Sequence, residues 1–426
     1  MPIESLELEL RNISVKGGAE FQLPQRFTVK QIVGRGFFGV VCSGKDEETG
    51  APVAIKKLDR AFDDLSSAKQ ALRELKILRH LRHENIIDLR YLFVAGSKSN
   101  FEDIYIISGL METDMASILR SPHRLSDEHC QFFLYQILRG LKYVHSAGLV
   151  HGSLKPRILL VNSNCDLKIS DFWVYRPPEE RVCNRWYVAP EVLCSLEAGA
   201  AIDMWALGLI FAEMVTRKPL LPGNSVVHQL QLIIRLIGFP EADILSRINE
   251  KPRRFMESLP KICGPALYEA LRPYEAVASV MELLDSLLQF DPDHRLNAEQ
   301  ALALPYFEPR PKQSTLAALL FFLFSGFCVS VPCQHQLLQG RLHYLGQEQL
   351  HCPQDEPSSS PIDPNDFEFE RRKIDLVALR EEIFLEALHY HPDVQRRYLQ
   401  ELAEYGTSYD ITKYRLLAPD EPHYDD

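Results

Sequence analysis

Three glycines are the first residues whose types and spacing suggest a chemistry. Gly34, Gly36 and Gly39, followed by Val41, match the pattern G-x-G-x-x-G-x-V. Glycines at this spacing let backbone amides approach nucleotide phosphates closely. The same spacing also occurs in ordinary hairpin turns, so the pattern alone leaves both interpretations open.

A lysine and a glutamate favour the nucleotide interpretation. The β-branched Val53 and Ile55 predict a strand that ends in Lys56, which could bind the α- and β-phosphates of a nucleotide. Apolar residues at helical spacing in 72–78 predict a helix that carries Glu74, an ion-pair partner for Lys56. A purely structural role for this pair stays open, since holding a helix against a sheet also needs such contacts.

Three further signatures follow in the order expected of a protein-kinase catalytic domain. Residues 171–173 (Asp-Phe-Trp) stand in the D-F-G position, and residues 189–191 supply A-P-E. Residues 151–160 align with the catalytic-loop pattern H-R-D-L-x-x-x-N, but Ser153 replaces its Asp and Ile158 replaces its Asn. The joint order and spacing make an accidental match improbable.

The chain resembles the MAP kinases over residues 27 to about 310 and again near 355–390. The closest matches to that family lie in residues 53–57, 72–76, 111–114, 135–143 and 185–187. The segment 132–148 is especially similar to fungal stress-activated (osmosensing) MAP kinases. The resemblance implies an α+β, bilobal protein-kinase fold and, in active members, phosphorylation of Ser or Thr before Pro.

The resemblance also implies a domain organisation. The hinge that binds adenine would be Gly109, Leu110 and Met111, with Ser108 as gatekeeper. Arg295 is placed as the family's partner for Glu191. The expected divisions are an N-terminal extension at 1–26, a kinase domain at 27–310 with a small lobe at 27–108 and a large lobe at 113–310, an insertion at 311–353, and a C-terminal extension at 354–426.

The catalytic positions predict impaired chemistry. Ser153 cannot accept a proton near neutral pH, and Ile158 has no lone pair for a cation. Asp171 retains a carboxylate for one Mg²⁺, so we expect only weak metal binding there. Lys155 can still neutralise developing phosphate charge. Because the glycines, Lys56, Glu74 and Asp171 are retained, weak ATP binding is expected.

The activation switch of the family is also missing from the sequence. MAP kinases are switched on at a Thr-x-Tyr pair between D-F-G and A-P-E. Residues 171–191 contain no threonine, and Gly152 replaces the arginine that would receive the loop phosphate. Trp173 replaces the D-F-G glycine, whose conformational freedom it cannot match.

Residues 311–353 are foreign to the family pattern. Their apolar run, 316–331, is shorter than the roughly 20 residues that a membrane span needs. A zinc site built from Cys328, Cys333, His335, His343, His351 and Cys352 lacks a paired C-x-x-C motif. The favoured interpretation is an insertion, such as a translated intron. It displaces Asp355 and Glu356, which would form the family's acidic docking segment.

Composition is typical of an intracellular globular protein. The chain is 46% hydrophobic and 25% charged, and its formal net charge of -11 argues against general nucleic-acid binding. Nine scattered cysteines suit a reducing compartment, and no signal peptide opens the sequence. We therefore expect a monomer of the cytoplasm and nucleus that does not engage membranes. Its partners would be cascade proteins bound through docking peptides.

Three hypotheses about function remain open at this point. The first is a MAP-kinase-like pseudokinase that serves as a signalling scaffold or competitor. The second is an active or weakly active Ser/Thr kinase in which phosphate positioning carries the reaction. The third is the non-functional product of a decaying gene or a mis-spliced transcript.

Overall fold

The computed structural model describes residues 3–36, 39–172, 182–260, 266–274, 278–307, 356–406 and 409–418. Trp173, the insertion 311–353 and Asp355 lie outside these residues, so the predictions made for them are not addressed. The chain divides into two compact units. The first is drawn from Met1–His83, Ile87–Met111 and Ile362–Asp426, and the second from Glu84–Ile86 and Glu112–Pro361.

The regular elements of the described residues are as follows. The strands are β1 Leu10–Val15, β2 Ala19–Pro24, β3 Phe27–Gly36, β4 Gly39–Asp46, β5 Pro52–Leu58, β6 Tyr91–Ala95, β7 Asp103–Gly109, β8 Thr113–Asp114, β9 Leu159–Val161 and β10 Leu167–Ile169. The α-helices are α1 Leu65–His80, α2 Met115–Arg120, α3 Asp127–Ser146, α4 Pro190–Leu193, α5 Ala201–Thr216, α6 Val226–Ile237, α7 Ala242–Arg247, α8 Glu250–Ser258, α9 Leu267–Leu271, α10 Ala278–Leu287, α11 Ala298–Leu302, α12 Glu368–Arg371, α13 Leu376–Leu388 and α14 Pro392–Tyr405.

The first unit is built around an antiparallel sheet with strand order β3-β4-β5-β7-β6. Its core includes Phe93 and Tyr105, whose rings stack with centroids 4.7 Å apart. Phe21, from the β1–β2 hairpin, is also fully buried in this core. The residues before 27 therefore form part of the folded unit.

The C-terminal helices of this unit pack against α1. Phe369 of α12 and Phe384 of α13 are fully buried in the same core as the sheet. The face of α1 toward this segment carries cations at helical spacing, and each has an acidic partner. Arg73 pairs with Glu370, Lys76 with Glu382 and Glu386, and Arg79 with Glu386 and Asp366. These pairs explain how charged residues of α1 are buried.

Helix α1 also begins and ends as its sequence dictates. The Asp64 carboxylate accepts a hydrogen bond from the Ser67 backbone N–H at 2.7 Å, which caps the first turn. Arg79 and His80 lie in the last turn, where positive charge complements the helix dipole. The helix predicted around Glu74 is therefore present, and it spans Leu65–His80.

The second unit is mainly helical. Its central helix, α5, is apolar around most of its circumference and is buried along nearly its whole length, as expected for a helix surrounded by protein. Helix α3 begins with a capping box formed by Ser126 and His129. The short strands β8, β9 and β10 form an antiparallel sheet of their own. No helix in the described part of the chain is long and apolar enough to cross a membrane.

Candidate functional site

Lys56 lies on a half-buried face of the main sheet. Its cross-strand neighbours are Val41 on β4 and Ile106 on β7, so the three side chains share that face. Lys56 Nζ donates to Glu74 Oε1 at 2.6 Å. The Lys56 side chain is 23% exposed and that of Glu74 10%. The predicted ion pair is therefore formed, and its lysine side chain is the more exposed of the two.

The glycines of the first motif have different local requirements. Gly39 has φ 146°, and a Cβ there would lie 1.9 Å from the Lys57 carbonyl oxygen, so sheet packing alone demands glycine. At Gly36 an added Cβ would meet nothing within 4 Å, and at Gly34 only Val41 at an ordinary 3.8 Å. Packing thus explains Gly39, whereas the open space over Gly34 and Gly36 fits close approach of a phosphate to the backbone.

The predicted hinge follows the end of β7. The Gly109 N–H donates to Asp88 Oδ1 at 3.0 Å, and a Cβ at Gly109 would lie 2.6 Å from the Arg90 guanidinium. Leu110 and Met111 are half-buried, and Met111 is the last residue of the segment Ile87–Met111 of the first unit. Small size is therefore required at Gly109 to keep the turn next to the Asp88–Arg90 pair.

In the second unit, a buried carboxylate holds the catalytic-loop turn. Asp203 accepts the backbone N–H groups of His151 and Gly152, each at 2.8 Å, and His145 Nε2 lies 2.9 Å from the same side chain. Burial alone would raise the pKa of Asp203, but His145 and the other donors hold it below its usual value. Gly152 has φ 73°, a left-handed conformation that glycine adopts without strain.

His151 connects this turn to the segment before Asp171. Its Nδ1 accepts from the Ser153 N–H at 3.3 Å, so Nε2 carries the proton and donates to the Ser170 carbonyl at 2.9 Å. The ring also contacts Phe172, with centroids 4.9 Å apart. Complete burial lowers the pKa of His151, against the opposing effect of Asp203. The frame of a kinase catalytic loop is therefore intact and rigidly hydrogen-bonded.

The reactive positions within that frame hold unreactive side chains. Ser153 is half-buried and lines a small pocket of about 20 Å³. Ile158 is only 2% exposed, and its carbonyl accepts from the Ser170 N–H and hydroxyl at 3.0 and 2.9 Å. An aliphatic side chain thus fills the place of the expected metal ligand and belongs to the core.

Asp171 and Lys155 complete the predicted residues of this unit. Asp171 has φ 55°, a left-handed conformation that aspartate tolerates better than most residues. Lys155 is half-buried and precedes the short helical turn Pro156–Ile158. With Ile158 unable to ligate, the residues of this unit do not fit a Mg²⁺ site that shares two protein ligands. Across the described ranges, no group of three or more His, Cys, Asp or Glu side chains could hold a metal.

The A-P-E glutamate makes the contact expected of it. Arg295 donates from Nη1 and Nη2 to the two oxygens of Glu191 at 2.8 and 3.1 Å, and both side chains are fully buried. The Arg295 guanidinium also lies over the Trp205 ring, 5.2 Å from its centroid. A two-point ion pair of this kind fixes the segment after residue 189 to the connection between α10 and α11, and Arg295 Nη1 also donates to the Ala201 carbonyl at the start of α5 at 2.6 Å.

The docking role predicted for Glu356 needs correction. Its side chain is 2% exposed, accepts hydrogen bonds from Tyr135 and Arg139, and its carbonyl accepts from Lys142 Nζ at 3.1 Å. A carboxylate neutralised in this way offers no charge to a partner. The family resemblance implied an acidic docking segment here, and no local pattern indicated the helix α3 side chains that bury Glu356.

Comparison with known proteins identifies the family. A model of the protein kinase domain matches residues 27–307. Mitogen-activated protein kinase 1 of Oryza sativa subsp. japonica is 41% identical over 370 residues, which are 85% of this chain and 82% of that protein. The chain belongs to the MAP kinase family. The predicted α+β protein-kinase fold is thereby confirmed, with a strand-rich unit and a helical unit.

Other MAP kinases match over a similar part of the chain. Extracellular signal-regulated kinase 1 of Dictyostelium discoideum is 39% identical over 90% of this chain and 66% of its own length. Mitogen-activated protein kinase 8 of Oryza sativa subsp. japonica is 39% identical over 89% of this chain and 62% of its own length. The chain thus spans slightly less than two thirds of these two relatives. The closer similarity to fungal stress-activated members stays a prediction.

Proposed function

We propose that this MAP kinase family member lacks effective phosphotransfer and acts by binding other proteins of a phosphorylation cascade, as a scaffold or a competitor. The observation that carries the proposal is the pair Ser153 and Ile158 within an intact loop frame. Ile158 has no lone pair to offer a metal ion, and its side chain is buried in the core.

Rate arguments support the same conclusion. A positioned general base typically contributes about 10²- to 10⁴-fold to a rate. Ser153 offers no such base. Because Ile158 cannot act as a ligand, it weakens binding of the Mg²⁺ ion that would neutralise charge on the transferring phosphoryl group. Lys155 adds positive charge but no proton acceptor. We therefore expect no phosphorylation of Ser-Pro or Thr-Pro substrates above background.

Nucleotide binding is expected to persist in weakened form. The accessible backbone at Gly34 and Gly36 and the lysine of the Lys56–Glu74 pair are the groups that would hold ATP phosphates. A ligand that binds only the folded state raises the melting temperature by mass action. Lys56→Met should abolish the shift that Mg²⁺-ATP produces. Lys45→Met, which removes an exposed lysine paired with Glu47, should retain it.

Two assays together test the proposal. Radiolabelled ATP and a Ser/Thr-Pro peptide should give no product with the unmodified protein. Ser153→Asp alone should recover little activity, whereas Ser153→Asp combined with Ile158→Asn should recover more. Robust turnover by the unmodified chain would refute the proposal. A folded protein whose melting temperature is indifferent to saturating Mg²⁺-ATP would show that the Lys56–Glu74 pair is structural only.

A further inference from the structure

Two Ser-Pro dipeptides occur in the sequence, Ser121-Pro122 and Ser360-Pro361. This is the motif that active members of the family phosphorylate, so each serine is a possible phosphate acceptor. The structure places the two dipeptides in very different surroundings. That difference allows one serine to be selected and the other to serve as its control.

Ser121 takes part in hydrogen bonds within the second unit through both its hydroxyl and its carbonyl. It caps the end of α2, and its hydroxyl donates to the Ile118 carbonyl at 2.7 Å. Arg217 Nη2 donates to the Ser121 carbonyl at 2.7 Å, which fixes the backbone as well. A kinase would have to break these contacts before the hydroxyl could enter its active site.

Ser360 lies in a surface segment without helix or strand. Residues 357–363 contain no regular element, and both Ser360 and Pro361 are exposed. The residue before a proline favours extended backbone, the conformation in which a peptide segment enters a binding cleft. The segment is anchored just upstream, where the Ser359 N–H donates to Ser146 Oγ at 2.8 Å and Glu356 is buried. Ser360 is therefore held at the surface at a defined place.

We propose that Ser360 accepts phosphate from a proline-directed Ser/Thr kinase, and that this phosphate supplies the anionic charge by which the chain binds basic-apolar docking peptides. In the transfer, Ser360 Oγ forms a bond to the γ-phosphorus of ATP while the bond from that phosphorus to the ADP oxygen breaks. ADP leaves, and the hydroxyl proton passes to the base of the modifying kinase.

The second half of the proposal rests on the proposed binding function and on the burial of Glu356. Since Arg139 already neutralises Glu356, that carboxylate cannot attract a basic peptide. A phosphoserine adds a charge of about -1.5 to -2 at neutral pH. Opposite charge of this kind raises the association rate and the specificity of docking.

The first test is phosphorylation of the full chain by an active proline-directed kinase with ATP, followed by peptide mapping. Phosphate is expected on Ser360, with loss of labelling in Ser360→Ala and in Pro361→Ala and full labelling in Ser121→Ala. Phosphate confined to Ser121, Ser358 or Ser359, or no phosphate on a folded chain, would overturn the proposal.

The second test measures affinity for a synthetic peptide in which a run of Lys and Arg precedes leucines. A matched peptide carries Gln in place of the cations. Phosphorylated protein should bind the basic peptide at least about tenfold more tightly than unphosphorylated protein, with the gain lost at high salt and absent for the Gln peptide. Equal affinity for the basic peptide before and after phosphorylation of Ser360 would overturn only the proposal that the phosphate binds docking peptides. Absence of binding in both states would instead count against the proposed scaffold function.

Discussion

Replacing Glu386 with glutamine should loosen α1, the helix that carries Glu74. Glu386 is 5% exposed and lies between two cations of α1, 3.1 Å from Lys76 Nζ and 2.7 Å from Arg79 Nε. Glutamine keeps the shape and one acceptor but removes the charge. The perturbation therefore isolates the electrostatic part of the contact between α13 and α1.

The size of the stability loss depends on which acidic partners Lys76 and Arg79 retain. Removing one partner of a buried ion pair costs about 3–5 kcal/mol, and a hydrogen bond to a charged group contributes about 1.5–3 kcal/mol. Lys76 keeps Glu382 at 3.2 Å, and Arg79 keeps Asp366 at 3.4 Å, so neither is left without an acidic partner. We expect a loss of about 2–3 kcal/mol, which corresponds to about a 30- to 140-fold change in an opening equilibrium.

Native-state hydrogen exchange can measure this effect at α1 itself. Tryptophan fluorescence cannot, because the three tryptophans lie at residues 173, 186 and 205, outside the first unit. Amides of Leu65–His80 should lose protection by about the factor given above in Glu386→Gln. The matched control is Asp393→Asn, since Asp393 is 82% exposed and its pair with Arg396 should contribute little. Equal protection of α1 in both variants would refute a role for the buried cluster.

Two further predictions concern the second unit. Glu191→Gln should lower the free energy of unfolding of this unit by about 3–5 kcal/mol because Arg295 would remain fully buried without a charged partner. Urea unfolding followed by tryptophan fluorescence should show this loss. The control Asp293→Asn, at an exposed position, should change the free energy of unfolding little. Since burial lowers the pKa of His151 in the folded state, the unfolded state takes up a proton first as the pH falls. The free energy of unfolding of this unit should therefore be at its maximum above about pH 6.5 and decrease below it. A series of unfolding measurements at different pH in which His151→Asn shows the same decrease would contradict the assignment of this effect to His151.

Local patterns in the sequence were sufficient to predict many elements and pairings. The apolar spacing around Glu74 predicted a helix, and the structure has it at Leu65–His80 with the Lys56 contact formed. The family resemblance implied Arg295 as the partner of Glu191, and the two are joined through both terminal guanidinium nitrogens. These predictions succeed because family motifs encode specific pairings.

Contacts between distant parts of the chain could not be predicted. The family resemblance implied that Glu356 belongs to an acidic docking segment, yet it is buried and paired with Arg139, far away in sequence. Nothing local to Glu386 indicates that its partners are Lys76 and Arg79. Likewise, the steric demand at Gly39 comes from the Lys57 carbonyl of β5, which no spacing rule describes. The residues that resist prediction are those whose role is set by a partner on another element of the fold.

The assembly of the first unit from both ends of the chain constrains how the protein is made. A ribosome delivers the sheet and α1 early but Ile362–Asp426 only after the helical unit, so Arg73, Lys76 and Arg79 leave the exit tunnel long before their acidic partners exist. The helical unit, encoded almost entirely between these pieces, can complete its core first. A premature stop codon after residue 361 would therefore spare the helical unit and leave the nascent sheet with an uncovered apolar and cationic flank, a substrate for chaperones and proteases.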